Sequence, residues 1–263
     1  MEFEDITLNI DGSVGTVAIH RPQAHNSLRL ETMSELGRAI DLLVANDSVR
    51  AIVLTSNEKN FVSGAEFSFL KQMSDASERE IKNNIYTVFQ GTVKKIWHCP
   101  KPTLAAFSGA AVTVGCELAL VCDFRIVSET AFFQESWIKL GLLPALGGMM
   151  LLPRYVGLGV ASDMMLRGRR MNADEALRLG FVQEVFPVEQ LGARRAAFAQ
   201  ELSEIAPQAY AAIKRSIHRG LESTLENEWG SAVGVQVKLF ASNDFREGLA
   251  AVSAKRKPRF TGT

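Results

Sequence analysis

Cysteine is scarce in this chain of 263 residues, and the three present, Cys99, Cys116 and Cys122, match no metal-ligand spacing. Two of them lie in an apolar stretch and read as small core residues. An odd count fits a reducing compartment better than a disulfide framework. Charge of one sign is missing as well. Lys plus Arg and Asp plus Glu both number 29, so no net field draws in nucleic acid or an anionic membrane. No charge-free apolar run reaches the roughly 18 residues needed to cross a bilayer. The opening MEFEDITLNI is acidic and alternating, unlike a signal or transit peptide. There is no Walker loop, and neither Gly12–Gly15 nor Gly157–Gly159 completes a dinucleotide fingerprint. None of the four histidines, His20, His25, His98 and His218, sits in a recognisable serine or cysteine nucleophile motif. No repeat recurs at a fixed period. We therefore expect a soluble, cytoplasmic protein with no metal site and no recognisable dinucleotide or Walker motif.

What is present is centred on Ala105 to Asp123. From Ala110 to Cys122 the residues are small or apolar all round, except for Thr113 and Glu117, and the segment reads as a buried helix. A carboxylate one turn inside a helix N-terminus, with apolar walls, should titrate high and move a proton near neutral pH. The alternative is a structural glutamate bonded to nearby backbone N–H groups.

Around this stretch the pattern is α/β. Phe3 to Ile10 alternates, Asp11-Gly12-Ser13 turns, and Thr16 to His20 continues, which is a strand–turn–strand signal. Asn26 to Ala45 has helical spacing. Ala51 to Thr55 and Thr103 to Phe107 are short apolar runs suited to strands buried on both faces. The loop FVSGAEF precedes a long amphipathic segment from Glu78 to Trp97. Phe124 to Val127 and Ala131 to Phe133 read as short strands. Helices are expected from Gly147-Gly148 to Tyr155 and from Val160 to Leu166. Beyond about Leu191 only helical stretches remain, divided near Pro207, Gly220 and Asn243. We therefore expect residues 1–190 to form an α/β core with parallel strands and residues 191–263 a helical region.

HRPQAHNSL, FVSGAEF, CPKPTLAAFSG, GCELALVCD, LGLLPALGGMMLLPRYVG and LRGRRMNADEALRLGFVQEV follow one another in an order that resembles the crotonase superfamily, the enoyl-CoA hydratase/isomerase family. The closing EGLAAVSAKRKPRF adds to the match, which covers nearly the whole length. The resemblance implies a spiral of ββα units, a C-terminal helical trimerisation region, and a homotrimer or a hexamer made of two trimers. It implies an acyl-CoA ligand and no cofactor beyond the coenzyme A of the thioester. By position, two backbone N–H groups, of Ala65 and Val114, would hold the thioester oxygen as it gains enolate charge. Gln23, Ala24 and His25 match the turn that grips the adenine end of CoA. Arg256 and Lys257 in the basic tail are candidates for its phosphates, although a charge run is more often a solvated face.

The sequence departs from the hydratase pattern in two places. Val114 stands where most members have glycine. Glu117 matches the first hydratase glutamate, but the position of the second is Trp137, whose indole N–H cannot shuttle a proton. Glu135, two residues earlier, would share Trp137's face in an extended segment and could substitute in part. The resemblance to the isomerases is weakened, because those with one acid keep the second. The CoA dehalogenases carry tryptophan here, but they need an aspartate where this chain has Ala145. The expectation is an enoyl-CoA hydratase-like lyase with one acid–base residue, Glu117, and an acyl pocket shaped by Trp137 and Glu135. The alternative is a catalytically weak or inactive acyl-CoA-binding homologue.

Overall fold

The computed structural model describes residues 2–56 and 59–263; Met1, which begins the alternating N-terminal stretch, lies outside them. The chain opens with an antiparallel hairpin, β1 (Ile6–Asp11) and β2 (Val14–Ile19), joined across Gly12-Ser13. Helix α1 (Leu30–Ala45) leads to β3 (Ala51–Ser56), and β3 pairs in parallel with β2. Three helical pieces follow: α2 (Phe67–Ser74), α3 (Glu78–Lys82) and α4 (Gln90–Trp97), with a π-helical segment, Asn83–Phe89, between the last two. The long amphipathic segment expected from Glu78 to Trp97 is therefore helical but not uniformly α. Next comes β4 (Thr103–Phe107), which lies beside β3.

The two apolar runs behave as their composition implies. In β3, Ile52 and Leu54 enter the main core while Ala51 and Val53 enter a second cluster on the opposite face. In β4, Ala105 and Phe107 face the main core and Leu104 and Ala106 the other side. A strand with both faces covered has no need of polar alternation.

The stretch after β4 differs from expectation. Ala110–Val112 is a strand, β5, and the helix α5 runs only from Val114 to Leu120, so Cys122 lies beyond it. The cause is non-local. β5 pairs with β7 (Phe132–Gln134), which follows β6 (Phe124–Ser128), and that pairing claims backbone groups that a longer helix would have used. Between β5 and α5, Thr113 has φ 49° and ψ −110°, which breaks any continuous helix.

The rest of the chain adds α6 (Gly148–Val156), α7 (Leu158–Arg167), β8 (Arg170–Asn172), α8 (Ala173–Arg178) and β9 (Glu184–Phe186). The last four helices are α9 (Val188–Ser203), α10 (Pro207–Gly220), α11 (Leu225–Ala241) and α12 (Asn243–Ser253). The main sheet has the order β1-β2-β3-β4-β6-β9, parallel except for the first hairpin, and β5-β7-β8 forms a smaller sheet. Helix α9 covers the outer face of the main sheet, where Leu191, Ala199 and Leu202 join the second cluster. Helix α10 is tied to the core by a buried ion pair, Lys214 to Asp123 at 2.7 Å, and by His218 stacked on Trp97. No helix among the described residues is long and apolar enough to cross a membrane.

Candidate active site

Helix α5 is fixed at both ends. At its start, the Thr113 N–H donates to Gln134 O (2.8 Å) and Thr113 O accepts from Glu117 N (3.0 Å). Close packing of α5 on the chain at Val62 requires Gly115, where a Cβ would stand 2.5 Å from the Val62 Cβ. Beyond its end, the fully buried Arg125 donates to the carbonyls of Ala119 (3.2 Å), Leu120 (3.3 Å) and Cys122 (2.7 Å). A cation there complements the negative end of the helix and satisfies its last carbonyls.

All seven residues of α5 are buried, Glu117 completely. Its Oε1 accepts from Leu146 N (2.8 Å) and Gly148 N (2.9 Å), the latter the first residue of α6. Its Oε2 faces Trp137 Nε1 at 3.4 Å. Burial pushes the Glu117 carboxyl up to about 7, against the pull of the Gly148, Leu146 and Trp137 N–H groups. One oxygen is thus held by two backbone donors, while Oε2 has only the long contact from the Trp137 indole. Neither alternative for this residue excludes the other: the carboxyl is bonded to backbone and it also titrates near neutrality.

The two N–H groups expected beside it belong to Ala65 and Val114. The turn after β2 is stitched to the loop before α2 by Leu28 N to Gly64 O (2.8 Å) and Glu66 N to Leu28 O (2.8 Å). Ala65, between those two bonds, keeps an N–H with no acceptor among the described residues, and so does Val114 in the first turn of α5. Ala65, Val114 and Trp137 line one cavity, and Glu117 stands directly behind the wall that Trp137 and Leu146 give it. The residue with positive φ is Thr113 and not Val114, so the valine itself sits in an unstrained helix. Thr113 is buried, its Oγ1 has no hydrogen-bond partner among the described residues, and it packs against Gly64, where a Cβ would come within 3.1 Å of that oxygen. A β-branched residue in this conformation is a strained one, and it lies directly before Val114 and against Gly64, the residue before Ala65.

Glu135 departs from expectation. The backbone does not stay extended, since Ser136 has ψ 17° and Trp137 begins a 3₁₀ turn, Trp137–Leu140. Trp137 therefore faces the cavity while Glu135 is buried outside the cavity lining, where the Cys116 thiol is its one polar side-chain neighbour among the described residues besides Glu117. Burial first, and the neighbouring Glu117 second, raise its pKa well above the usual carboxylate range. Burial likewise pushes the Cys116 thiol up.

Gln23 and His25 are exposed and Ala24 half-buried on the 3₁₀ turn Pro22–Ala24. Ala24 uses its N–H on Arg21 O (3.0 Å) and its carbonyl on Ser27 N (2.9 Å). Beneath the turn, Arg21 is buried and ion-paired with Asp5 (3.1 Å) and Glu66 (2.6 Å). Arg256 is engaged by Glu247 through two bonds (2.6 and 2.8 Å), and Lys257 is exposed, 3.8 Å from Glu204. No hydrogen bond or ion pair among the described residues joins this tail to the Pro22–His25 turn. The backbone donors of Leu146 and Gly148, and the α2 wall of the cavity, are site components that the sequence reading missed. Phe67, Leu70 and Ser74, with Phe69 and Met73, carry the helical spacing that would have revealed α2.

Known proteins decide the wider assignment. A model of the enoyl-CoA hydratase/isomerase family matches residues 9–263. The chain belongs to the enoyl-CoA hydratase/isomerase family. A protein of Rhizobium meliloti named probable enoyl-CoA hydratase is 37% identical over 260 residues, covering 99% of each chain. The short-chain-enoyl-CoA hydratase of Clostridium acetobutylicum is 32% identical over 258 residues, covering 98% of this chain and 97% of its own. The crystal structure of an enoyl-CoA hydratase from Bacillus anthracis superposes with a TM-score of 0.91 at 27% identity, covering 99% of this chain and all of that one. The chain is thus an enzyme of the hydratase/isomerase kind with the crotonase fold.

Proposed function

We propose that this family member binds an acyl-CoA thioester, with its carbonyl oxygen between the N–H groups of Ala65 and Val114, and uses Glu117 as its single acid–base residue. The observation that carries the proposal is Glu117 itself: wholly buried behind the cavity wall, held at Oε1 by two backbone donors, met at Oε2 only by the Trp137 indole N–H at 3.4 Å, and raised by burial to about 7. A base is most effective when its pKa lies near the working pH. Donors aimed at developing enolate charge act most strongly where water is excluded. The chemistry is hydratase- or lyase-like: Glu117 Oε2 accepts a proton from water or from the thioester α-carbon and returns it. No cofactor is needed beyond the coenzyme A of the substrate. Gln23, Ala24 and His25 would meet the adenine end, and Lys257, with Arg256 if it leaves Glu247, the phosphates.

The exposed apolar residues of α11 support assembly as a homotrimer or as a hexamer of two trimers, with residues 191–263 as the oligomerising region. A second proposal, a weak or inactive acyl-CoA binder, is favoured by Trp137, whose indole occupies the Oε2 side of Glu117 where a second acid would work. Incubation with a panel of enoyl-CoA esters, read by the mass gain of water, separates the two. Hydration of any ester supports the enzyme, binding with no conversion supports the binder, and no binding of any CoA ester overturns both.

A further inference from the structure

The cavity that Ala65, Val114 and Trp137 line has a volume of about 570 Å³. Away from those residues its walls are α2, with Phe69 and Met73, and the π segment, with Ile85 and Phe89. The loop before α6 lines its mouth with Leu142 and Leu143, both about half exposed. Among the described lining residues Lys71 is the one charged side chain and Ser74 the one hydroxyl. A π turn widens a helix by one residue and recurs at functional sites. Here it presents Ile85 and Phe89 to the cavity.

The size is informative. An apolar cavity of about 150 Å³ holds one benzene molecule, roughly 25 Å³ per carbon. The present cavity has room for on the order of twenty carbon-sized groups by that measure. A four-carbon acyl group with its thioester would leave most of this apolar wall facing water. Resting on the acyl-CoA proposal above, we infer that the site takes long apolar acyl groups, of about eight carbons or more, housed between α2, the π segment and the loop before α6. Each methylene buried against such walls raises affinity about threefold to fourfold.

Calorimetric titration of the full chain with butanoyl-, octanoyl- and dodecanoyl-CoA, which lack the reactive double bond, tests this. Octanoyl-CoA is expected to bind at least tenfold more tightly than butanoyl-CoA. Met73→Trp, which fills the cavity from α2, is expected to bring the octanoyl-to-butanoyl ratio close to one. Ile85→Phe, on the π segment, serves as a second variant and should reduce the ratio in the same direction. Equal affinity along the native series overturns the inference while leaving the acyl-CoA proposal standing. A preference for long chains that survives both substitutions also overturns it, since the cavity is then not its source. Failure of every ester to bind removes the acyl-CoA proposal and this inference together.

Discussion

Helices α5 and α11 are both rich in apolar residues, and they meet opposite fates. Every residue of α5 is buried, including an acid, whereas none of the seventeen residues of α11 is. Trp229, Val233, Val237 and Phe240 recur at helical spacing along α11, and each is more than half exposed. The sheets, α6 and Arg125 enclose α5 within the chain, while the stripe on α11 is left exposed, met at its end by Phe245 of α12 against Phe240 (4.9 Å between ring centroids). Contiguous apolar surface of this kind marks an interaction face. The contrast teaches that burial within one chain encloses the acid of α5, whereas the apolar stripe of α11 stays exposed in a single chain and is the face on which the proposed assembly would rest.

The largest effect that bears on this contrast is expected at α5. Glu117→Gln keeps the shape and the bonds from Leu146 and Gly148 but removes the titrating proton. Turnover should fall ~10²–10⁴-fold on whichever enoyl-CoA the protein converts. Undiminished turnover would make the carboxylate structural and α5 merely a core helix. Next, Val233→Glu combined with Val237→Glu places two charges in the α11 stripe, and an unpaired charge buried at an interface is strongly destabilising. Sedimentation should show the assembly reduced to single chains that keep native circular dichroism. An intact oligomer would mean that α11 is not the interface.

A third test uses pH. Folding raises the Glu117 pKa from 4.5 to about 7, so between those values the folded chain holds a proton that the unfolded chain has released. Stability is therefore full below about 4.5, falls as pH rises through 7, and levels off above, a change of roughly 3 kcal/mol at 1.36 kcal/mol per pH unit. Glu135, raised in the same direction, adds a fall of the same sign. Urea midpoints at pH 5 and pH 8 should differ more in the native chain than in Glu117→Gln; equal differences would show that Glu117 does not titrate in this range. The smallest effect is expected from Trp137→Glu. Restoring a second acid beside Oε2 should raise crotonyl-CoA hydration by about tenfold, short of the full contribution of an acid catalyst because the new group lacks a supporting shell. Brisk native hydration, unchanged by this substitution, would mean that the single-acid arrangement is sufficient.

How legible the molecule was depended on whether a feature is local. β3 and β4 were readable because burial on both faces leaves a continuous apolar run. Glu117 was readable because one acid in such a run is conspicuous. β5 was not, since Ala110–Val112 has the composition of a helix start and is a strand only through its pairing with β7. β8 and β9, three residues each, are likewise defined by their neighbours and not by pattern. The Leu146 and Gly148 donors were invisible because every residue but proline has an N–H, and only the fold says where it points. Glu135 was misplaced by assuming that the strand continued, when the backbone turns at Ser136.

The order of strands in the main sheet also governs how the molecule comes into being. Val14 pairs with Ala51, Ile52 with Thr103 and Ile126 with Glu184, so apart from the first hairpin each strand must wait for a partner far along the chain. Such long-range closure slows folding. On the ribosome, where the N-terminal part emerges first, β6 stays an open edge until β9 has been made. Until residue 186 is out, that edge is a template for any stray strand, and prompt arrival of β9 and then α9 is what protects the nascent chain from mispairing.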